Sequence, residues 1–480
     1  MNYRMTGYLL GVILLIESAL MLLPTLVSVI YGENVFPFVI TILILLAFSL
    51  PAVIMKPKNR QIYTKEGFVT VAAGWVLMSA FGALPFVISG AIPSYIDAFF
   101  ETVSGFTTTG ATILKAIEGH PKGILFWRSF THWIGGMGVL VFIMALLPSS
   151  SGGQTIHLMR AEVPGPTKGK LVPKMKYTAL ILYGIYIALT LIMIIALLLC
   201  GLPFYDSTVS ALATAGTGGF SVLNNSIAGY NSAAVEWVVA LFMFLFSINF
   251  NLYYFILIGR AKEIFRNEEL RTFLVIFLTS VTAIALNTFH MFEKISDCIR
   301  ASFFQVMAIM STTGFSTVDF NEWSEFSRTV MMMLMIMGAC AGSTAGGLKI
   351  SRILILVKSV GCEIKHMLRP KSVNVVRLDG EVIPDETVHA ANRYLTFYTV
   401  IIMISIFLIS FNGFDSVTNF TAVLTCINNV GPGFEAVGPA GNFADFSWFS
   451  KIVFSLDMLF GRLEIMPMII LLFPFSRSRR

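Results

Sequence analysis

The sequence predicts an all-α membrane protein in which a two-helix preface is followed by one unit repeated four times around a common axis. Three observations predict it. The 480 residues are 56% apolar and only 12% charged, with a mean hydropathy of +0.79, too greasy for a soluble multidomain protein. Apolar runs of about twenty residues, the length that crosses a hydrocarbon core, recur along the whole chain. Between them one polar turn occurs four times. Thr108-Thr109-Gly110-Ala111-Thr112, Thr217-Gly218-Gly219-Phe220-Ser221, Thr312-Thr313-Gly314-Phe315-Ser316 and Asn429-Val430-Gly431-Pro432-Gly433 align without gaps, with their central glycines roughly a hundred residues apart. That interval is far longer than any solenoid period.

In chain order, Met5 to Tyr31 and Phe36 to Met55 make the preface, residues 1–66. The first run exceeds the short core of a signal peptide and lacks a small-residue cleavage pattern, so it is expected to stay as a span. Each repeat then reads incoming span, short amphipathic segment, polar turn, outgoing span. Repeat 1 (67–160) has Gly67 to Ser89, Tyr95 to Phe106, the turn and Ile124 to Leu147. Repeat 2 (161–266) has Tyr177 to Leu202, Phe204 to Thr214, the turn and Val235 to Ile258. Repeat 3 (267–375) has Leu270 to Leu286, Ser296 to Met310, the turn and an interrupted stretch from Arg328 to Lys358. Repeat 4 (376–480) has Tyr394 to Phe411, Phe414 to Ile427, the turn and Phe449 to Phe473.

The segments before the turns are too short to span, which makes them re-entrant half-helices at membrane depth. Asp97, Asp206, Asp297 and Asp415 stand near their starts. Carboxylates there favour the helix N-terminus and leave the carbonyl end facing the turn, a polarity that suits a cation. For each aspartate alone, ordinary capping is the simpler reading.

Lysines and arginines gather between the repeats, as at Lys56 to Lys65, Arg160 to Lys176, Arg260 to Arg271 and Lys358 to Arg377, and again at Arg477 to Arg480. The positive-inside tendency makes these loops and both termini cytoplasmic, with ten crossings and the turns dipping in from outside. The net charge of +6 therefore reads as membrane topology, not as a nucleic-acid surface. Five scattered cysteines show no CxxC spacing and the six histidines no metal spacing, so neither a disulfide framework nor a metal site is indicated. No HExxH, GxSxG or carboxylate pair suggests an enzyme. Gly135-Gly136-Met137-Gly138 has no strand before it and no P-loop lysine after it, and reads as a helix contact.

The turn has a chemistry of its own. An alkali cation crossing a membrane exchanges water for oxygen ligands, and rings of backbone carbonyls supply these without fixed charge. Glycine permits φ > 0, letting consecutive carbonyls face one axis, and the threonines add hydroxyls. One such turn is only a loop; four in register, each after a half-helix and before a span, indicate ion conduction.

This pattern of span, half-helix, single-glycine turn and span resembles the Trk/Ktr/HKT superfamily of potassium transporters. The two-helix preface and the length are similar to its bacterial Trk-type membrane subunit, across Met5 to Phe473. The resemblance implies a potassium filter formed by Thr108, Thr109 and Gly110; Thr217, Gly218 and Gly219; Thr312, Thr313 and Gly314; and Asn429, Val430 and Gly431. Glycine at all four positions is what the family associates with potassium preference, with rubidium and caesium accepted as substitutes. The fourth turn departs from the threonine pattern, so ligation there is expected from carbonyls.

Gly338 to Gly347 is a run of ten small residues inside the third outgoing span. On the residues alone, a broken helix lining a cavity and close small-residue helix packing are equally supported. The resemblance implies the former, an intramembrane gating loop below the filter, with Gly338, Gly342, Gly346 and Gly347 as its flexible backbone and Ser343 and Thr344 as polar lining. It also matches Arg462, in Gly461-Arg462-Leu463-Glu464, to the family's pore arginine, which holds the loop closed and repels the exiting ion. A structural ion pair is the other reading of Arg462. Asp457 and Glu464, on the same span, must face protein or water, and Glu17 and Glu464 are expected to be paired or snorkelling.

The chain carries no nucleotide-binding domain and needs no covalent cofactor. The resemblance implies a homodimer in the cell membrane, seated on a cytosolic ring of RCK-type nucleotide-binding subunits of the TrkA kind. Proton- or sodium-coupled potassium symport stays open as an alternative. An alternating-access carrier for another solute is the second rival, although it predicts two inverted halves rather than four repeats of one orientation.

Overall fold

The computed structural model describes residues 2–55, 57, 63–138, 175–260 and 262–472. The expected continuation of the first outgoing span to Leu147, the basic loop that follows it and the arginine tail lie outside the described residues.

The half-helices form as the sequence indicates: Tyr95–Phe106, Phe204–Gly216, Ile295–Met310 and Ser416–Asn428, of 12, 13, 16 and 13 residues. All are shorter than the roughly twenty residues a crossing needs. Of the four aspartates only Asp415 is itself the N-cap, accepting from the N–H groups of Val417 and Thr418, both at 3.0 Å. Asp97, Asp206 and Asp297 sit inside the first turn. There they suit the positive end of the dipole, and two of them reach cations as well, Asp97 with Lys451 at 2.7 Å and Asp297 with Arg300 at 2.9 Å.

Among the described residues six helices are long and apolar enough to cross a bilayer: Tyr3–Ile30, Phe36–Ile54, Lys65–Ile88, Thr178–Leu199, Glu268–Met291 and Asp385–Asn412. They are the preface pair and the four incoming spans. The outgoing helices are short in every repeat: Lys122–Gly136, Ala233–Ser247, Glu325–Ile336 and Trp448–Arg462, with 15, 15, 12 and 15 residues. This corrects the unbroken outgoing spans expected for repeats 2 and 4. In repeat 2 the chain turns by 89° into Phe250–Leu257, because Asn249 caps the new helix, its side chain accepting from the Asn251 N–H at 2.9 Å. In repeat 4 Glu464 and Ile465 take left-handed φ values of 57° and 68° before Met466–Leu472 resumes.

The repeats interlock in one rotational order. Each outgoing helix packs on the half-helix of the next repeat, that of repeat 1 on Phe204–Gly216, of repeat 2 on Ile295–Met310, of repeat 3 on Ser416–Asn428 and of repeat 4 back on Tyr95–Phe106. The cycle closes on itself, which is the pseudo-fourfold arrangement. The preface stands outside it, against the incoming and outgoing helices of repeat 1. A short hairpin pairing Arg377–Leu378 with Glu381–Val382 opens repeat 4, ahead of its incoming span.

Candidate functional site

All four half-helices end in the same way. The N–H of Thr109, Gly218, Thr313 and Val430 donates to the carbonyl five residues back, at 2.9, 3.0, 2.9 and 2.9 Å. In each case the preceding residue is left-handed, with φ of 57° at Thr108, 56° at Thr217, 55° at Thr312 and 53° at Asn429. This is a Schellman end, whose left-handed seat ordinarily belongs to glycine. Threonine there costs on the order of 1–2 kcal/mol, so the side-chain oxygen is present despite the backbone. Such strain gathers at functional sites.

The glycines that follow have φ of 84°, 77°, 77° and 100°, and they close a ring. A Cβ on Gly110 would fall 2.1 Å from the Gly218 carbonyl oxygen, on Gly219 1.9 Å from that of Thr313, on Gly314 2.3 Å from that of Val430, and on Gly431 2.8 Å from that of Thr109. Every turn therefore touches the next, in the same order as the helices, and the structure brings all twelve sequence-predicted turn residues together. The hydroxyls of Thr109 and Thr313 are turned to Thr107 and Ser311, at 2.8 and 2.7 Å. The oxygens Thr108 Oγ1 and Asn429 Oδ1 are buried without a hydrogen-bond partner.

Behind the second turn lies His132, which sequence reasoning left unassigned. Its ring centroid lies 4.1 Å from that of Phe220, the rings tilted by 34°, and its Nδ1 lies 2.7 Å from the Gly105 carbonyl. A Cβ on Gly218 would come within 2.3 Å of that ring, so the imidazole props the turn from the rear.

Residues between Ile336 and Ile350 form a non-helical loop against the ring. Gly346 donates its N–H to Thr312 Oγ1 at 2.7 Å, and a Cβ on it would strike Asn428 and Asn429. Gly338 and Gly347 pack on each other, and Gly342 faces Asn249 of the repeat 2 break. There the Gly342 carbonyl accepts from the Phe250 N–H at 3.0 Å. The polar lining expected from Ser343 and Thr344 is turned inward instead, because their hydroxyls donate to the carbonyls of Cys340 at 2.6 Å and Phe246 at 3.1 Å.

Three charged side chains hold this loop. Arg462 donates to the Thr344 carbonyl at 2.9 Å and, in repeat 1, to the carbonyls of Gly136 at 2.8 Å and Gly135. Lys349, 2% exposed, donates to the carbonyls of Ala345 and, at 3.2 Å, Gly346. Glu269 accepts from the N–H groups of Ala341 at 2.7 Å and Ser351 at 2.9 Å, clasping the two ends together. Lys349 and Glu269 were not singled out in the sequence. The signal for Lys349 was an isolated charge next to the small-residue run, whereas Glu269 resembles any first-turn carboxylate.

Replacing Glu269 by Ala orphans two buried N–H groups, at about 1–3 kcal/mol each. Hydrogen exchange at Ala341 and Ser351 should accelerate by at least about tenfold, and Glu269→Gln, which keeps an acceptor, should restore most of the protection.

Glu464 is paired, as expected, with Arg352 at 3.0 Å, and the Arg352 guanidinium lies 3.9 Å from the Tyr394 ring centroid. Glu17 is not: it is 2% exposed, and neither carboxyl oxygen has a hydrogen-bond partner. Asp457 accepts from Ser405 at 2.7 Å through one oxygen.

Similar folds and sequences occur in known proteins. The crystal structure of the potassium transporter TrkH from Vibrio parahaemolyticus superposes with a TM-score of 0.88, at 31% identity, over 99% of both chains. The Trk system potassium uptake protein TrkH of Salmonella typhimurium is 33% identical over 482 residues, 99% of each chain. TrkG of Escherichia coli K12 is 33% identical over 477 residues, 98% of each chain. The TrkH family, described as cation transport proteins, matches residues 34–477. With that match and these relatives, the chain belongs to the TrkH family of membrane cation transport proteins.

Proposed function

We propose that this protein takes up potassium through a gated pore whose selectivity filter is the ring of four turns. The observation that carries this reading is the closed cycle in which each turn's glycine abuts the carbonyl of the next. A dehydrated potassium ion on the axis meets carbonyls of Thr109, Gly218, Thr313 and Val430, and the unpartnered Thr108 Oγ1 and Asn429 Oδ1 add ligands at the inner mouth. No turn contains a fixed charge, so the carbonyl dipoles, through their number and the spacing of the ring that holds them, set the preference.

Gly338 to Gly347 is the gate in this reading, and its contacts with Thr312 and Arg462 describe the shut state. Opening withdraws the loop from the ring. The basic segment of 358–377, the end of the Ile350–Leu368 helix and the chain that follows it, faces the cytoplasm in this reading, where a nucleotide-binding regulatory ring attaches beneath a homodimer and draws the gate open. An interior-negative potential of about 150 mV gives one cation roughly 3.4 kcal/mol, enough for a few-hundredfold accumulation without a coupled ion.

Proton-coupled uptake has one observation in its favour: Asp457 is 1% exposed and its Oδ2 has no hydrogen-bond partner, a carboxyl placed to carry a proton. Rubidium-86 uptake into proteoliposomes under an imposed potential separates the readings. Uptake suppressed by potassium and caesium but not sodium, and independent of any proton or sodium gradient, is expected of the pore. Uptake that vanishes without such a gradient overturns it in favour of coupling.

A further inference from the structure

A side chain on three of the half-helices holds the chain just beyond the turn. Glu101 Oε2 accepts from the Ile113 N–H at 2.9 Å, and its two oxygens face the Thr112 hydroxyl at 2.9 and 3.1 Å. Gln305, the aligned residue of repeat 3, accepts from the Thr317 N–H at 2.7 Å when its amide oxygen is turned to the chain. In repeat 4 the neighbouring Thr421 accepts from the Phe434 N–H at 3.0 Å. Ile113, Thr317 and Phe434 each stand three residues after their turn's glycine.

Repeat 1 alone puts a charge at this position; the aligned residues elsewhere are Ser210, Gln305 and Ala422. The charge is matched. Arg128 Nε donates to Glu101 Oε1 at 2.6 Å, with the side chains 2% and 0% exposed. Arg128 then reaches into repeat 2, donating to the Ser221 carbonyl at 3.1 Å and lying 3.5 Å from the Phe220 ring centroid. Phe220 and Ser221 directly follow Gly219. One buried ion pair thus spans the junction at which Gly110 abuts the Gly218 carbonyl.

We propose that the Glu101–Arg128 pair is a positioning device for the filter, fixing the spacing between its first and second turns and hence the discrimination of potassium from sodium. The inference rests on reading the turns as a potassium filter. A ring held open presents its carbonyls at the distance a larger cation needs; released at one junction, it closes around a smaller one. The pair is suited to this task because the planar arginine fork fixes direction as well as distance.

The test compares wild type, Glu101→Gln, Arg128→Lys and the double variant Glu101→Gln/Arg128→Gln in proteoliposomes. It reads sodium competition against rubidium-86 uptake and the maximal rate per assembled protein. Glu101→Gln keeps the acceptor that Gln305 supplies in repeat 3, so it assembles. Its potassium-over-sodium ratio is expected to fall about tenfold, with the maximal rate within about twofold. Arg128→Lys, which keeps the charge and loses the fork, should fall similarly and decides alone if Glu101→Gln fails to assemble. The double variant should be no worse than the single one, as a coupled pair requires. Wild-type ratios in assembled variants, additive losses, or a lowered rate with unchanged ratio overturn the proposal. Wild type that does not itself prefer potassium fails the filter reading first, and this inference with it.

Discussion

Gly219→Ala abolishes potassium uptake: rubidium-86 flux per assembled protein is expected to fall by more than about a hundredfold, the equivalent of about 2.7 kcal/mol. Gly219 has φ of +77°, and its new Cβ would lie 1.9 Å from the Thr313 carbonyl oxygen and 3.0 Å from its carbon. Both are backbone atoms, so no rotamer relieves the clash and one of two filter turns has to move. Gly90→Ala is the control. Its φ is +74°, but nothing lies within 4 Å of the added carbon, so it bears only backbone strain, on the order of 1–2 kcal/mol. It should lower the melting temperature by a few degrees and leave transport intact. Gly219→Ala protein transporting at more than about a tenth of the wild-type rate would remove the argument that the turns touch across a ring.

Arg462→Gln raises flux in protein without any partner. Arg462 joins the loop carbonyl of Thr344 to the carbonyls that end the Lys122–Gly136 helix, and charged hydrogen bonds of this kind contribute about 1.5–3 kcal/mol each. Water replaces most of them when the loop opens, leaving a net bias of about one bond. Removing it shifts the gate roughly tenfold toward open. Arg462→Lys separates charge from latch: it keeps the positive charge but not the fork that bridges both sides. If repulsion of the exiting ion is the barrier, Lys stays shut; if the bridging bonds are, Lys opens nearly as far as Gln. Unchanged flux in well-assembled Arg462→Gln protein would deny the residue a gating role.

What was legible in the sequence was what repeats. The half-helix Tyr95–Phe106 was read to the residue and the other three within two residues at each end, because each finishes at a turn whose glycine is visible four times. The outgoing spans were overextended because hydropathy does not register a bend. Phe246 to Leu252 is apolar enough to continue, and the helix ends there because Asn249 caps the next one and the Phe250 N–H finds the Gly342 carbonyl, a partner far along the chain.

The same remoteness hid the supports of the site. Glu269 and Lys349 look like surface charges until the loop they clasp is folded beside them. Glu101 was hidden in the same way, because its partner Arg128 is on another helix and its effect on a third segment. For Glu17 the sequence suggests a paired or snorkelling carboxyl because a lone buried one is costly; it is buried with neither oxygen hydrogen-bonded, which no local pattern reports.

The ring itself can be seen directly. In crystals grown with rubidium in place of potassium, anomalous scattering should show the ion on the axis enclosed by Thr109, Gly218, Thr313 and Val430, with sodium failing to displace it at equal concentration. Rubidium absent from that ring, or bound only at carboxylates away from it, would contradict the four turns as the filter.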